Sequence, residues 1–213
     1  DMIFAGFILL NDPLKAGIIE TLDRLKALHI KIKIITGDNP KVAQYVARQI
    51  GLENPVIMSG AAMQTMSPEA FNVQAARTDI FAETEPHQKE RIIKALQKNN
   101  FTIAYIGDGI NDAPALAQAD LGIAMGSGTD IAMKAADVVL VGNSLTKLLA
   151  VTDLSRKTWR VVRQNLFWAF FYNTLGMSLA VTGVLNPIAA AGAMFLSSLS
   201  VIGNSMRLGR KQA

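Results

Sequence analysis

Residues 105–125 read YIGDGINDAPALAQADLGIAM, and this stretch decides the fold. An apolar run ends at Ile106, a bend rich in glycine and carboxylate follows, and a second apolar run begins at Leu121. Asp108, Asn111 and Asp112 fall within five residues, flanked by Gly107 and Gly109. A turn that only has to be soluble has little use for so many carbonyl oxygens. Strand, acidic bend, short helix and strand in that order indicate a parallel sheet whose ligands bind beyond the carboxyl ends of the strands.

The same alternation runs outward from this stretch. Strand candidates are Met2–Leu10, Ile30–Thr36, PVIMS, DIFAE, TIAYIG, LGIAM and DVVLV. Helices are expected over Ala16–His29 and from Asn39 to Gly51, the latter with Asp38 or Asn39 as cap and Pro40 in the first turn. Further helices are expected at Ser67–Ala76, His87–Lys98, Ala113–Ala119 and Thr129–Ala135. The expected class is α/β, one parallel sheet with helices on both faces.

The chain has 213 residues, net charge +4 and no cysteine. Its mean hydropathy is +0.26, high for a water-soluble protein. The excess is concentrated: no Asp, Glu, Lys or Arg occurs from Gln164 to Met206. A bilayer crossing needs roughly 20 apolar residues, so two crossings fit, with Asn186-Pro187 as the turn. Arg156, Lys157, Arg160 and Arg163 precede this block, and Arg207, Arg210 and Lys211 follow it. The positive-inside rule puts both ends of the hairpin, and the first domain, in the cytoplasm. The expected organisation is a cytoplasmic domain over 1–145, an amphipathic linking helix over 146–164, two transmembrane helices over 165–206 and a basic tail over 207–213. The basic residues gather at membrane edges without interleaved aromatics, which argues against a nucleic-acid partner. Absence of cysteine fits a reducing compartment and rules out a cysteine metal site within the chain. The chain starts within a strand-like pattern, so an amino-terminal truncation is expected.

Polar residues collect where strands end. Thr36-Gly37-Asp38 closes one, Gly107–Asp112 another, Asp12 and Lys15 follow the first, and Lys89 opens a helix. Carboxylates and a carboxamide are hard oxygen ligands of the kind Mg²⁺ takes. A threonine hydroxyl, the amides beside Gly37 and a lysine ammonium suit phosphate oxygens. Together they fit phosphoryl transfer, which depends on positioning and charge neutralisation. Taken singly, Thr-Gly-Asp is a common turn, Lys89 a solvated helix residue and Asp12 before Pro13 a cap. Only the Gly107–Asp112 loop points to function by itself.

The run from Gly107 to Leu140, GDGINDAPALAQADLGIAMGSGTDIAMKAADVVL, resembles the hinge segment of P-type cation-transporting ATPases. DPLK, TGD and PHQK occur in the order that family requires. The resemblance covers essentially the whole chain and implies a haloacid-dehalogenase fold. It implies that Asp108 holds Mg²⁺, with Asp112 also at the ion and Asn111 supporting ion, phosphate and attacking water. It implies that Thr36 and Gly37 bind the transferred phosphoryl group, that Asp38 organises that loop and the nucleotide end, that Lys89 neutralises phosphate, and that Asp12 braces the loops closing on ATP. The nucleophile of the family, the aspartate of D-K-T-G-T, does not occur here. The resemblance therefore implies the carboxyl-terminal part of a pump, inactive alone. Its partners would be the actuator domain, nucleotide-binding domain and earlier membrane helices of the same pump, the lipid bilayer, and a metallochaperone.

Tyr172-Asn173 in one expected membrane helix and Met194 with Ser197-Ser198 in the next resemble the last two helices of copper-type heavy-metal ATPases. A thioether suits soft Cu(I), where Mg²⁺, Ca²⁺ and K⁺ prefer oxygen. These five residues are the expected ligands of the transported ion, and Cu(I) export is the expected activity. Gly192 and Ser200 are expected to pack helices together. The segment from Glu53 to Glu85 is longer than in heavy-metal pumps and resembles calcium and magnesium pumps, so another cation is the alternative. A membrane-anchored phosphatase of the same fold would need a D-x-D after its first strand, where Asn11-Asp12-Pro13 stands. A non-catalytic remnant of the fold is the remaining alternative.

Overall fold

A computed structural model of the chain describes residues 13–142, 144–183 and 187–210. The strand expected at Met2–Leu10 and Asp12 lie outside the described residues. The chain divides into two compact units, Asp1–Leu149 and Ala150–Ala213.

The first unit alternates helices and strands. Helix α1 (Ile18–Ala27) buries Thr21 and Leu25, four residues apart on one face. Strand β1 (Ile34–Ile35) follows, then α2 (Pro40–Gln49), which Asn39 caps by accepting hydrogen bonds from the Lys41 and Val42 amides at 3.0 Å each. Next come β2 (Ile57–Ser59), α3 (Gly60–Thr65), α4 (Pro68–Arg77) and β3 (Ile80–Ala82). Then come α5 (Pro86–Lys98), β4 (Ala104–Gly107), a 3-10 turn at Ile110–Asp112 and α6 (Ala113–Gln118). Strand β5 (Leu121–Met125), α7 (Asp130–Ala135) and β6 (Val138–Leu140) complete the series.

Among the described residues all strand pairings are parallel, and the strands there form two three-stranded sheets where one was expected. Their orders are β1-β3-β2 and β4-β5-β6. Ile34 and Ile35 stand opposite Ile80 and Phe81, and Ala104 to Gly107 opposite Leu121 to Ala124. The expected strand at Ile30–Thr36 shortens to two residues. Within that stretch the Lys33 ammonium is drawn to the end of α4, where it donates to the carbonyls of Ala75, Ala76 and Thr78. Burial and the neighbouring Lys31 push Lys33 down to about 8, against the opposing pull of Asp79. Helix α3 has no counterpart in the expectations; its six residues are too few to show a period, and the Ser59 hydroxyl caps it through the Ala62 amide.

Strand β3 is buried at every residue, as the middle of a parallel sheet requires. Phe81 joins Met58, Met63, Phe71, Ile92 and Leu96 in one cluster; Ile93, Tyr105, Ala115, Leu116 and Ala132 form a second. Burying each large side chain contributes about 1.5–3 kcal/mol. Helix α5 supplies both clusters, and Ile35 and Ile103 pack against both. Each of β1 and β4 is the end strand of its sheet, and neither has a second strand partner among the described residues.

The second unit is a pair of helices. Helix α8 runs unbroken from Lys147 to Val181, and α9 from Pro187 to Arg210. On α8 beyond Thr152 the partly covered side chains are Val161, Asn165, Ala169 and Tyr172, spaced four, four and three residues apart; on α9, among the described residues, they are Ser197, Val201 and Asn204. These two stripes are the seam of the pair. Most large apolar side chains face away from it: Phe167, Phe170, Phe195 and Leu196 are all more than 60 % exposed. Among the described residues, no helix is long and apolar enough to cross a membrane. Gln164, Asn165, Tyr172 and Asn173 dilute the apolar run of α8, so the transmembrane pair expected at 165–206 is not shown as such. Among the described residues, Gly192 and Ser200 are exposed and do not stand on this seam. No heavy atom would meet a Cβ at Gly192 within 4 Å, and the Ser200 hydroxyl bonds back to Leu196 of its own helix.

Candidate functional site

The site is built at the carboxyl ends of β1 and β4. After β4, Gly107 lets the chain fold back on itself: a Cβ there would stand 2.6 Å from the Asp112 Cβ. The turn tucks the Asp112 side chain under the loop, leaving the residue 7 % exposed. Its Oδ1 accepts from Lys89 Nζ at 2.8 Å and from the Tyr105 hydroxyl at 2.7 Å. Its Oδ2 accepts from the amides of Gly109 at 3.0 Å and Asp108 at 3.2 Å. A carboxylate offers about four acceptor sites, so Asp112 is fully used by the protein.

These contacts set the charges. Burial pushes the Asp112 carboxyl up, but the hydrogen bonds from Lys89, Tyr105 and Gly109, with the Lys89 charge, outweigh it and hold the group below the ordinary carboxylate value. Burial also pushes the Tyr105 phenol well above its ordinary value, helped by its bond to Asp112 and by the charges of Asp112 and Asp108. Tyr105 therefore stays a neutral donor, and Asp112 a fixed anion.

Asp108 differs in every respect. It is exposed, and its carboxylate makes no hydrogen bond or ion pair among the described residues. The side chain of Asn111 is likewise exposed and unbonded among them. The backbone beneath Asp108 is fixed, since its carbonyl accepts from the Thr129 amide at 2.9 Å. Gly128 permits that approach: a Cβ there would lie 2.6 Å from the same oxygen. The loop thus offers one free carboxylate and one free carboxamide on a backbone pinned by a second, saturated carboxylate. Among the described residues no three acidic or imidazole groups form a ready metal cage. One or two hard oxygens with open positions suit Mg²⁺, which keeps waters and phosphate oxygens as its other ligands. Asp112, expected as a second ion ligand, has its carboxylate oxygens engaged by four protein donors.

The loop after β1 is smaller. The Thr36 hydroxyl donates to Asp38 Oδ2 at 2.8 Å and accepts from the Asp38 amide at 3.1 Å, closing a tight turn around Gly37. Gly37 and Asp38 are exposed, which leaves the Gly37 backbone open to an anion. Thr84 anchors this turn to the β3 end, with its hydroxyl 2.8 Å and its amide 3.0 Å from the Thr36 carbonyl. From Thr84 the chain enters α5 through Pro86 and reaches Lys89, whose ammonium meets Asp112. One short segment therefore ties the Thr36 turn to the Asp112 support, although the two loops share no side chain. Lys89, expected at phosphate, stands at the junction with its charge balanced by Asp112.

Sequence reasoning passed over Tyr105, Thr84 and Gln88. Gln88 is buried at the start of α5, donates to the Gly60 carbonyl at 3.0 Å and accepts from the Glu85 amide at 2.9 Å. A Glu-x-x-Gln capping pattern over residues 85–88 was the available signal for it. In the second unit, Tyr172 and Ser197 lie on the seam, while Asn173, Met194 and Ser198 face away from it, Met194 being 71 % exposed. The Ser198 hydroxyl bonds to the Met194 carbonyl at 3.0 Å. The pair does not bring the five expected ion ligands together.

A family profile described as haloacid dehalogenase-like hydrolase matches residues 3–120, more than half of the chain. Over 206 residues, 97% of its length, the chain is 42% identical to a protein of Enterococcus hirae named "Probable copper-importing P-type ATPase A", of which it covers 25%. It is 39% identical over 205 residues to "Probable copper-exporting P-type ATPase V" of Mycobacterium tuberculosis, covering 96% of this chain and 23% of that protein. A crystal structure of a zinc-transporting PIB-type ATPase in its E2.Pi state matches with a TM-score of 0.77 at 32% identity, over 92% of this chain and 28% of that one. The chain thus spans about a quarter of the length of the relatives it matches. With that profile matching more than half of its residues, the chain belongs to the haloacid dehalogenase-like hydrolases.

Proposed function

We propose that the chain is the carboxyl-terminal part of an ATP-driven heavy-metal pump that exports Cu(I), working through an aspartyl-phosphate whose nucleophile lies outside this sequence. The observation that carries the reading is the contrast inside one loop, where Asp108 is free and Asp112, four residues on, is saturated. In this reading Asp108 holds Mg²⁺, which screens phosphate charge, and Asn111 aids the ion and the attacking water. Asp112 and Lys89 keep that loop rigid. Thr36 and Gly37 take the phosphoryl oxygens through hydroxyl and amide, and Asp38 orders the turn on the side where ATP enters.

Each of β1 and β4 has one edge without a strand partner among the described residues, which leaves room for a further strand. A parallel strand placed between those two edges would carry the nucleophile toward both loops. The actuator and nucleotide-binding domains, the earlier membrane helices and a delivering metallochaperone would be supplied by the rest of the protein and the cell.

Membrane insertion is supported by the helices themselves. Their polar groups gather partly on the seam and their large apolar side chains face outward, the arrangement expected where the surroundings are lipid or other apolar helices. The basic flanks keep both ends of the pair cytoplasmic. Asn173, Met194 and Ser198 face outward, toward where earlier helices would complete an ion site with Tyr172 and Ser197. A zinc cargo is the second reading, favoured by the 32% identity to a zinc-transporting pump.

The test is ATPase activity of the full-length protein in lipid vesicles. Stimulation by Cu(I) above Zn²⁺, with accumulation inside vesicles whose cytoplasmic face is outward, is the expected result. Stimulation by Zn²⁺ alone would replace the cargo, and stimulation by neither ion would remove the pump reading.

A further inference from the structure

The seam between α8 and α9 carries a polar cluster at the end nearest the basic flanks. The Asn204 amide group donates twice, to Asn165 Oδ1 at 2.8 Å and to Gln164 Oε1 at 3.3 Å. Asn165 Nδ2 in turn donates to the Ser205 hydroxyl at 3.0 Å. Two neighbouring residues of one helix are thus clasped by two neighbours of the other. Carboxamides and a hydroxyl that already satisfy one another make a poor site for a soft cation. Their geometry fixes something else.

In an antiparallel pair, residues equally far from a contact, in opposite chain directions, lie at the same depth. Tyr172 follows Asn165 by seven residues, and Ser197 precedes Asn204 by seven. Seven residues are just under two turns, roughly 10 Å along the axis, and return each side chain to nearly the same face. Ala169 and Val201 occupy the step between, and all six residues are partly covered side chains on the seam. The clasp therefore sets which residues meet two turns away. A slip of one residue would move one helix about 1.5 Å and turn its seam by roughly 100°, taking Tyr172 or Ser197 off the interface.

We propose that Gln164 and Asn165, clasped to Asn204 and Ser205, are positioning residues that hold Tyr172 level with Ser197 and so tune the affinity of the pump for its cargo. The inference rests on the pump reading above. An apolar contact at the same place would also join the helices, but it would leave them free to slide, since apolar packing is not directional in the way a carboxamide clasp is.

The test uses the full-length protein in lipid vesicles, with Cu(I) and Zn²⁺ as probes. For Asn204→Leu, the metal concentration giving half-maximal ATPase stimulation should rise about tenfold, while turnover at saturating metal and phosphorylation by inorganic phosphate stay within about twofold. A second variant, Asn165→Cys with Asn204→Cys, should share that defect when reduced. Oxidised by diamide to a disulfide, it should recover to within about threefold of the unmodified protein, because the bond replaces the clasp at the same level. An unchanged half-maximal concentration in Asn204→Leu would overturn the proposal, as would equal loss of phosphorylation by inorganic phosphate, or a disulfide that restores nothing. If neither metal stimulates the unmodified protein, the pump reading fails first and the clasp has no cargo affinity to tune.

Discussion

The two units of the chain solve opposite packing problems. In the first, Phe71, Phe81, Met63 and Ile92 are buried, and the one buried carboxylate among the described residues, Asp112, is surrounded by four donors. In the second, phenylalanines and leucines face outward, while Asn165, Tyr172, Ser197 and Asn204 line the seam. The first hides its large apolar side chains in its core, and the second leaves them on its outer face. The difference teaches that an exposed apolar residue means different things in the two halves, and that both halves keep their directional polar contacts where they fix geometry.

That comparison can be broken by matched substitutions. The largest effect is expected for Asp112→Asn. It removes the charge that faces Lys89 and turns one acceptor into a donor against the amides of Asp108 and Gly109. Breaking a buried pair in this way costs about 3 kcal/mol, which corresponds to about 100-fold faster local hydrogen exchange in the peptide covering residues 105–112. Unchanged protection there would mean that the loop does not depend on its support.

Phe170→Asp is expected next. Phe170 is 63 % exposed, so in water the change would be near neutral; inside a bilayer an aspartate costs roughly 2.5–3.5 kcal/mol. The fraction of full-length protein recovered in the membrane should fall. Its control is Val73→Asp on α4, 57 % exposed in the first unit, where a change within about 0.5 kcal/mol is expected. If the two variants behave alike in thermal stability and membrane recovery, the contrast between the units is false.

A smaller effect is expected from acid. The folded Asp112 carboxyl titrates below its unfolded value of about 3.9, so its contribution is complete above that value and is lost as pH falls through the lower, folded one. Protection of residues 105–112, corrected for intrinsic exchange, should hold from pH 6 to about 4.5 and decline below it. In Asp112→Asn the same profile should be flat.

Local pattern carried much of this into the sequence. Strand β5 falls where LGIAM was expected, and α5, α6 and α7 begin within a residue of their expected starts, because capping residues and Pro86 mark them. The acidic bend was legible for the same reason: its residues are neighbours in the chain. What escaped depends on partners far away. Lys33, just before β1, is drawn instead to α4 more than forty residues on, and the strand begins only after it. Tyr105 and Lys89 become partners only through Asp112. Nothing in the order of residues distinguishes Asp108, left free, from Asp112, saturated by contacts along three separate segments. The clasp is hidden likewise, since Asn165 and Asn204 are joined across two helices and read singly as ordinary polar residues.

The central claim is that Asp108 serves the phosphoryl group and Asp112 serves the loop. The most direct test is phosphoenzyme formation from ATP in the full-length protein carrying Asp108→Ala, read together with hydrogen exchange of residues 105–112. The account predicts phosphoenzyme reduced at least about 100-fold, with loop protection unchanged, because the lost carboxylate had no partner in the fold. Near-normal phosphoenzyme in this variant, or a loop that loosens as it does in Asp112→Asn, would contradict it.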